Sequence, residues 1–140
     1  MLQYSNEVMI QKMTNKRKVV LIVDDEPDIT TTLQITLEDN GFQVESFNDP
    51  ILALENFRKR SYSLLLLDIN MPKMNGFELY TKIKKIDDKV RVCFFTALAE
   101  LQEYESFRKD VFPEEGKRYF IQKPVRSEEV VRMVNAITMS

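Results

Sequence analysis

Histidine is absent from the 140 residues of this chain, and only one cysteine is present. The absence of histidine excludes Ser-His and Cys-His nucleophilic arrangements, histidine metal sites and a role as a histidine phosphodonor. The single cysteine, Cys93, cannot form an internal disulfide, and its apolar neighbours predict a buried thiol without a redox role. Chemistry in this chain must therefore use carboxylates, hydroxyls and lysine.

Long apolar runs and an excess of basic residues are also missing. No run approaches the roughly 18 apolar residues of a membrane span, and polar residues interrupt the N-terminus where a secretory signal would have its apolar core. We therefore expect a cytoplasmic protein without a membrane partner. The formal net charge of -2 argues against nucleic-acid binding by this chain alone. The cluster of Lys82, Lys84 and Lys85 is interpreted as a solvated helix face, because Asp87 and Asp88 follow it.

The chain is long enough for one packed core, with 44% apolar residues. Residues 1–16 show no settled helical or strand period, and we interpret them as a mobile leader, or as an extension upstream of a start at Met13, ahead of a single domain over 17–140. From Val19 onward, short apolar runs alternate with amphipathic segments. The runs predict five strands, at 19–23, 42–47, 64–67, 90–95 and 118–121.

Helices are predicted between the strands from apolar residues at helical spacing. The first contains Ile29, Leu33 and Leu37 and ends before a glycine that accepts the left-handed conformation. Asp49 is predicted as the N-cap of the second helix and Ser127 as the N-cap of the last. Repeated β-α units predict a parallel sheet with right-handed crossovers and helices on both faces, which is a doubly wound α/β fold.

Reactive polar residues follow the carboxyl ends of the predicted strands, where such sheets bind their ligands. They are Asp24, Asp25, Glu26, Asp68, Thr96 and Lys123. Carboxylates brought together repel one another unless a cation offsets them, and an oxygen-only ligand set with room for water and phosphate favours Mg²⁺ over Ca²⁺. Asp68 is the candidate nucleophile toward phosphorus, with Lys123 and Thr96 placed to stabilise charge on the transferred group.

These motifs resemble the receiver domain of two-component response regulators over about residues 18–137. The resemblance rests on Val-Asp-Asp-Glu at 23–26, Leu-Asp-Ile-Asn-Met-Pro at 67–72 with Gly76 after it, Phe-Thr-Ala at 95–97, and Lys-Pro at 123–124. It implies a flavodoxin-like sheet of five strands in the order 2-1-3-4-5. It also implies that Asp68 is the phosphoacceptor and that Mg²⁺ is held by Asp25 directly, by Asp24 through water, by Asp68 and by the backbone carbonyl of Asn70.

The same resemblance assigns the remaining site residues. Lys123 would pair with a phosphoryl oxygen, and its bond to Pro124 would be cis. Thr96 would be the switch hydroxyl, and Phe120 would match the aromatic residue that rotates inward on phosphorylation. The segment 98–117 departs from the family pattern, being longer than usual and without the small Ala-Gly run. As a further hypothesis, Leu98 would hinder the attacking water and prolong the phosphorylated state.

The function implied by the resemblance is a signalling switch. A histidine kinase or phosphotransfer protein would donate the phosphoryl group, and a surface within residues 98–139 would then bind a downstream protein target. We expect an autocatalytic phosphoacceptor with slow self-dephosphorylation rather than a turnover enzyme, acting as a monomer or weak dimer. A stand-alone regulator is the first expectation, and a receiver cut from a longer regulator is the alternative.

Two other functions stay open at this point. A degenerate receiver would serve only as a binding module, although the intact set of site residues argues against it. An aspartyl-phosphate hydrolase of the haloacid-dehalogenase kind would place its nucleophile after the first strand in an Asp-x-Asp pattern. The adjacent pair Asp24 and Asp25, with Asp68 after the third strand, argues against that class.

Overall fold

The architecture is one parallel sheet with helices on both faces, seen in a computed structural model that describes residues 5–15, 18–97 and 120–139. The strands are β1 (Val19–Val23), β2 (Gln43–Phe47), β3 (Leu64–Asp68), β4 (Val92–Thr96) and β5 (Phe120–Gln122). The helices are α1 (Asn6–Asn15), α2 (Pro27–Asp39), α3 (Pro50–Glu55), α4 (Gly76–Ile86) and α5 (Ser127–Thr138). The sheet order β2-β1-β3-β4-β5 and the parallel pairing confirm the predicted doubly wound fold. None of the helices within these ranges is long and apolar enough to cross a membrane.

Alternate strand residues enter two separate cores, one on each face of the sheet. Leu65 and Leu67 pack with α3 and α4, whereas Leu64, Leu66 and Cys93 pack with α2 and α5. Because both faces of β3 and β4 are covered, every residue of these strands is buried, which explains their continuous apolar runs. Cys93 has no exposed surface, and burial raises the pKa of its thiol. The predicted buried thiol is therefore confirmed.

Side-chain caps fix the starts of α3 and α4. The Asp49 carboxylate accepts a hydrogen bond from the Ile51 N–H at 2.8 Å, so this predicted N-cap is confirmed. At α4, the Asn75 side chain accepts from the Glu78 N–H at 2.8 Å, and the Glu78 carboxylate accepts from the Asn75 N–H at 3.1 Å. This reciprocal capping box holds the end of the loop that follows β3.

The start of α5 corrects one prediction. Ser127, predicted as the N-cap, is the first helical residue, and Arg126 takes the N-cap position with φ -94° and ψ 138° and no side-chain cap. The Val130 N–H donates to the Arg126 carbonyl at 3.0 Å and closes the first turn. The Ser127 hydroxyl lies 3.5 Å from the Thr36 hydroxyl of α2. A contact between two helices thus takes the place of the expected cap.

Residues 6–15 form α1, where the sequence shows no helical period. The helix is held by amide side chains rather than by an apolar stripe. Asn15 is fully buried, and its Nδ2 donates to the Asn40 carbonyl at 3.0 Å and to Asn135 Oδ1 at 3.2 Å. Gln11 Nε2 donates to Asn15 Oδ1 at 2.9 Å. Hydrophobic periodicity cannot detect such a helix, because its partners come from distant parts of the chain. The division of the chain after residue 16 stays a prediction.

The turn after α2 is shaped to receive α1. Gly41 has φ 94°, which confirms the predicted left-handed glycine. A Cβ at this position would lie 2.4 Å from the carbonyl oxygen of Lys12 in α1. The glycine therefore permits both the turn and the close approach of the two backbones.

Candidate functional site

The strand register brings the predicted carboxylates together. Val23 of β1 pairs with Leu67 of β3, so Asp24 and Asp68 lie side by side at the carboxyl ends of adjacent strands. One carboxylate oxygen each from Asp24, Asp25 and Asp68 lies within 4.8 Å of the others. Asp24 and Asp68 are buried and Asp25 is half-buried. The three acids, predicted from two separate motifs, therefore form one cluster.

Lys123 joins this cluster from the end of β5. Its Nζ lies 3.1 Å from Asp68 Oδ1, 3.3 Å from Asp24 Oδ2 and 3.8 Å from Glu26 Oε1. Its backbone N–H donates to the Thr96 carbonyl at 2.8 Å, which fixes the start of the loop beyond β5 against β4. The peptide bond from Lys123 to the following proline is cis, as the resemblance implies.

The electrostatics of the cluster favour a further positive charge. Burial and, second to it, the Asp24 charge raise the pKa of the Asp68 carboxyl, Lys123 opposes both effects, and together they bring this pKa to about 7. Burial also raises the pKa of Asp24, although the Glu26 N–H and Lys123 favour its charged form. For Lys123, burial lowers the pKa, but attraction to Asp24 and Asp68 outweighs burial and raises it overall. The single positive charge of Lys123 thus does not neutralise the negative charges of the carboxylates around it.

The same cluster fits a hard divalent cation. The three carboxylates offer oxygen ligands within the spacing of one coordination shell. The raised pKa values of Asp24 and Asp68 show how costly the charges of these two groups are without such a cation. Asn70, predicted to add its backbone carbonyl, follows Asp68 by two residues and is exposed. Its role as a ligand stays a prediction.

The loop after β3 is held close to the end of that strand by Gly76. The Gly76 N–H donates to the Ile69 carbonyl at 2.8 Å. A Cβ on Gly76 would lie 2.3 Å from the Asp68 carbonyl oxygen, so a larger residue would force the strand end and the helix apart. The glycine quoted in the sequence motif therefore sets the distance between α4 and the backbone of Asp68.

Thr96 and Phe120 lie on neighbouring strands beside the cluster. Thr96 is fully buried at the end of β4, and its hydroxyl donates to the Ala97 carbonyl at 3.1 Å. Phe120 begins β5 and is half-buried, with ring centroids 5.4 Å from Phe94 and 6.3 Å from Phe77. Their placement agrees with the predicted positions, and their switching roles stay predictions. Leu98 and the segment 98–117 lie outside the described residues, as does part of the predicted docking region.

Two contacts at the site are not predicted from the sequence. Glu26 follows the acidic pair and reaches Lys123, a contact whose only sequence signal is its place next to that pair. Lys73, with φ 72°, sends its Nζ to 3.2 Å from Asp49 Oδ2 and so links the loop after β3 to the start of α3. No spacing rule connects residues 73 and 49.

Comparison with known proteins gives a consistent picture. The family model of the response regulator receiver domain matches residues 20–135. The chain is 35% identical over 118 residues to the transcriptional regulatory protein CpxR homolog of Haemophilus influenzae, which covers 84% of this chain and 49% of that protein. It is 35% identical over 82 residues to the response regulator receiver protein CpdR of Brucella abortus, covering 59% of this chain and 68% of that protein.

A solved structure shows the same similarity in three dimensions. The non-phosphorylated HemR receiver domain from Leptospira biflexa superposes with a TM-score of 0.75 at 27% identity, covering 88% of this chain and 95% of that one. The chain spans about half the length of the CpxR homolog. The similarity to that regulator therefore concerns one part of it.

Proposed function

This chain belongs to the response regulator receiver domain family, and we propose from this premise that it accepts a phosphoryl group on Asp68 from a histidine kinase or phosphotransfer protein. The observation that supports this most is the gathering of two further carboxylates, Asp24 and Asp25, and the Lys123 ammonium around the Asp68 side chain. The phosphoryl group of such a partner comes in the first place from ATP inside the cell, so the proposal includes a cytoplasmic location.

The chemistry assigned to the side chains follows from their charges and positions. An Asp68 carboxylate oxygen attacks phosphorus, and the bond from phosphorus to the donor nitrogen breaks with its electron pair left on that nitrogen. The Lys123 ammonium, 3.1 Å from Asp68 Oδ1, is placed to pair with a phosphoryl oxygen. The buried Thr96 hydroxyl at the neighbouring strand end is placed to donate to another.

The proposal includes Mg²⁺ as the cofactor. Asp24, Asp25 and Asp68 would hold it together with the Asn70 carbonyl, and this ligand set of oxygens suits a hard cation. When bound, the ion would neutralise charge on the carboxylates and on the transferred phosphoryl group. The remaining work, which is to bring the acids together and to keep water out, is done by the buried ends of β1 and β3.

The output of the switch is proposed to pass through the ends of β4 and β5. The Thr96 hydroxyl donates to the Ala97 carbonyl in this structure, so a bond to a phosphoryl group requires this hydroxyl to turn. Phe120 lies beside Phe94 and Phe77 at half burial, where a further inward rotation would change the neighbouring surface. A downstream protein would read that change.

Phosphorylation by a small donor tests this function directly. Incubation with acetyl phosphate and Mg²⁺ should add the mass of one phosphoryl group to the intact protein, and EDTA should prevent it. Asp68→Asn should abolish the labelling, whereas Asp39→Asn, at an exposed position in the last turn of α2, should not. Equal labelling of Asp68→Asn would contradict the assignment. A folded protein that binds Mg²⁺ without ever being labelled would instead be a binding module.

A further inference from the structure

Glu26 lies beside Lys123, and its backbone is held in place by hydrogen bonds. Its N–H donates to Asp24 Oδ1 at 2.9 Å, and its carbonyl accepts from the Ile29 N–H at 3.1 Å and the Thr30 N–H at 3.3 Å. Although it stands at the N-cap position of α2, its side chain makes no capping bond. The carboxylate is 62% exposed and lies 3.8 Å from Lys123 Nζ. The fold therefore places an exposed negative charge beside Lys123, whose ammonium contacts Asp68.

Among the residues that the structure describes, this charge is poorly compensated. Within the described part of the chain, the carboxylates close enough to share one cation are Asp24, Asp25 and Asp68, and Glu26 is outside that group. Lys123 is the cation beside Glu26, but its ammonium lies closer to Asp24 and Asp68. Glu26 thus adds a surplus negative charge to a centre whose own charges can balance once a divalent cation is bound.

The cavity beside Lys123 continues the same surface. It is lined by Glu26, Asp28, Pro124 and Val125, so a donor that approached Lys123 from this side would meet carboxylates and apolar groups. A small acyl phosphate that approaches Asp68 as a dianion is repelled by the Glu26 carboxylate at close range. A phosphoryl group carried by a protein meets the same charge, but contacts over a much larger interface offset that repulsion.

We propose that Glu26 is a specificity-determining residue of the phosphoryl-transfer reaction, which disfavours small dianionic phosphodonors relative to a phosphohistidine presented by a partner protein. The inference rests on the proposed function and deepens it. Its consequence is that metabolic acyl phosphates in solution phosphorylate the receiver slowly, so that the phosphorylation state follows the partner protein.

Two small donors that transfer the same phosphoryl group but differ in net charge isolate the effect of the donor's charge. With acetyl phosphate, an Asp68 oxygen bonds to phosphorus and the bond from phosphorus to the acetate oxygen breaks, releasing acetate with no proton transfer. With the phosphoramidate monoanion, whose nitrogen is protonated, the phosphorus–nitrogen bond breaks and ammonia leaves, again with no further proton. The same group is transferred to the same oxygen, but the first donor carries one more negative charge.

The test compares initial labelling rates of the full chain and of Glu26→Gln with each donor. Donor concentrations are kept below saturation, Mg²⁺ is constant, and phosphoprotein is counted by intact mass. We expect Glu26→Gln to accelerate labelling by acetyl phosphate about three- to tenfold at low ionic strength, with a clearly smaller gain for phosphoramidate. Both gains should shrink when salt is raised to about 0.5 M, because exposed charges are screened.

A matched control carries the same change of charge on the same helix. Glu38 is exposed near the other end of α2, about 18 Å from Glu26 by the helical rise. That distance is beyond the screening length of about 8 Å at physiological ionic strength, so Glu38→Gln should label at the rate of the unchanged protein with both donors.

The outcomes are distinct. The inference would be overturned if Glu26→Gln did not accelerate labelling, or if Glu38→Gln accelerated it equally. It would also be overturned if Glu26→Gln accelerated labelling by the same factor with both donors at every salt concentration, because that would indicate a displaced Lys123 instead of an effect of charge. In each of these cases labelling of Asp68 would leave the proposed function intact. Absence of labelling in every protein, with both donors, would overturn the function and the inference together.

Discussion

Lys123 Nζ lies 3.1 Å from Asp68 Oδ1, a contact that reaches from the end of β5 across β4 to the end of β3. This ammonium opposes the effect of burial on the Asp68 carboxyl and keeps the pKa of that group near 7. The same contact connects the proposed nucleophile to the loop that leads into α5. Several measurable consequences depend on it.

Lys123→Met should slow phosphorylation of Asp68 by at least about tenfold, because the cation that pairs with the transferred phosphoryl group is removed. Removing the ammonium also raises the pKa of Asp68, which leaves less carboxylate to attack at neutral pH. Intact-mass kinetics with acetyl phosphate and Mg²⁺ measure the effect. Lys59→Met, at an exposed lysine, is the control. Labelling of Lys123→Met at the unchanged rate would contradict this role.

Asp68→Asn should stabilise the metal-free protein in a pH-dependent way. Burial raises the pKa of Asp68 from its ordinary value of 3.8 to about 7. Between these values the unfolded chain loses a proton that the folded chain keeps, so folding becomes less favourable as pH rises, and the penalty is constant above pH 7. The asparagine variant avoids it and should be more stable by on the order of 2 kcal/mol at about pH 8, with little gain at about pH 4.

Urea denaturation in EDTA measures that difference in free energy of unfolding at the two pH values. Saturating Mg²⁺ should remove most of the advantage, because the ion offsets the charge on the Asp68 carboxylate. A gain of the same size at both pH values would show that the effect comes from packing and not from the carboxyl charge.

Asn15→Ala should destabilise the protein by about 1 to 3 kcal/mol, since it removes a fully buried amide that donates to the carbonyl of half-buried Asn40 and the side chain of half-buried Asn135. Thermal unfolding compares it with Thr14→Ala, an exposed neighbour on α1. Mg²⁺ affinity, measured by titration calorimetry, should not change, because α1 leads into the amino end of β1 and the acidic cluster lies beyond its carboxyl end. A loss of Mg²⁺ affinity equal to the loss of stability would argue against this separation.

The two glycines in backbone contact make a matched pair. Gly76→Ala would place its Cβ 2.3 Å from the Asp68 carbonyl, and Gly41→Ala would place its Cβ 2.4 Å from the Lys12 carbonyl. Both changes should cost more than about 1 kcal/mol in the free energy of unfolding. Gly76→Ala alone should also weaken Mg²⁺ binding, because it moves the strand end that carries Asp68. Calorimetry measures the Mg²⁺ affinity of both variants. An equal loss of Mg²⁺ affinity in Gly41→Ala would contradict the specific role of Gly76 in positioning Asp68.

The sheet and its acidic centre could be predicted because both follow from local patterns. Apolar runs such as that of β3 arise when a strand is covered on both faces, and parallel strands deliver the residues after them to one edge. Position after a strand is enough to predict this cluster, and the structure brings its members together: Asp24, Asp25, Asp68 and Lys123.

The contacts that could not be predicted connect residues that are far apart in the chain. α1 is held by Asn15 and Asn135, and no local period reports an amide network of that kind. Ser127 has the right residue type for an N-cap, but its position against Thr36 of α2 decides the outcome. The ion pair between Lys73 and Asp49 depends on how two loops meet. In each case the tertiary arrangement, rather than the local sequence, sets the structure.

Asn135 also gives α5 a mechanical role. One end of this helix follows the cis bond after Lys123 by a few residues, and Asn135 near the other end accepts hydrogen bonds from Gln11 and Asn15 of α1. The helix therefore connects the loop that carries Lys123 with α1. A shift of α5 on phosphorylation would disturb its hydrogen bonds to α1. We therefore expect amide hydrogen exchange in residues 6–15 to differ between the phosphorylated and unphosphorylated protein.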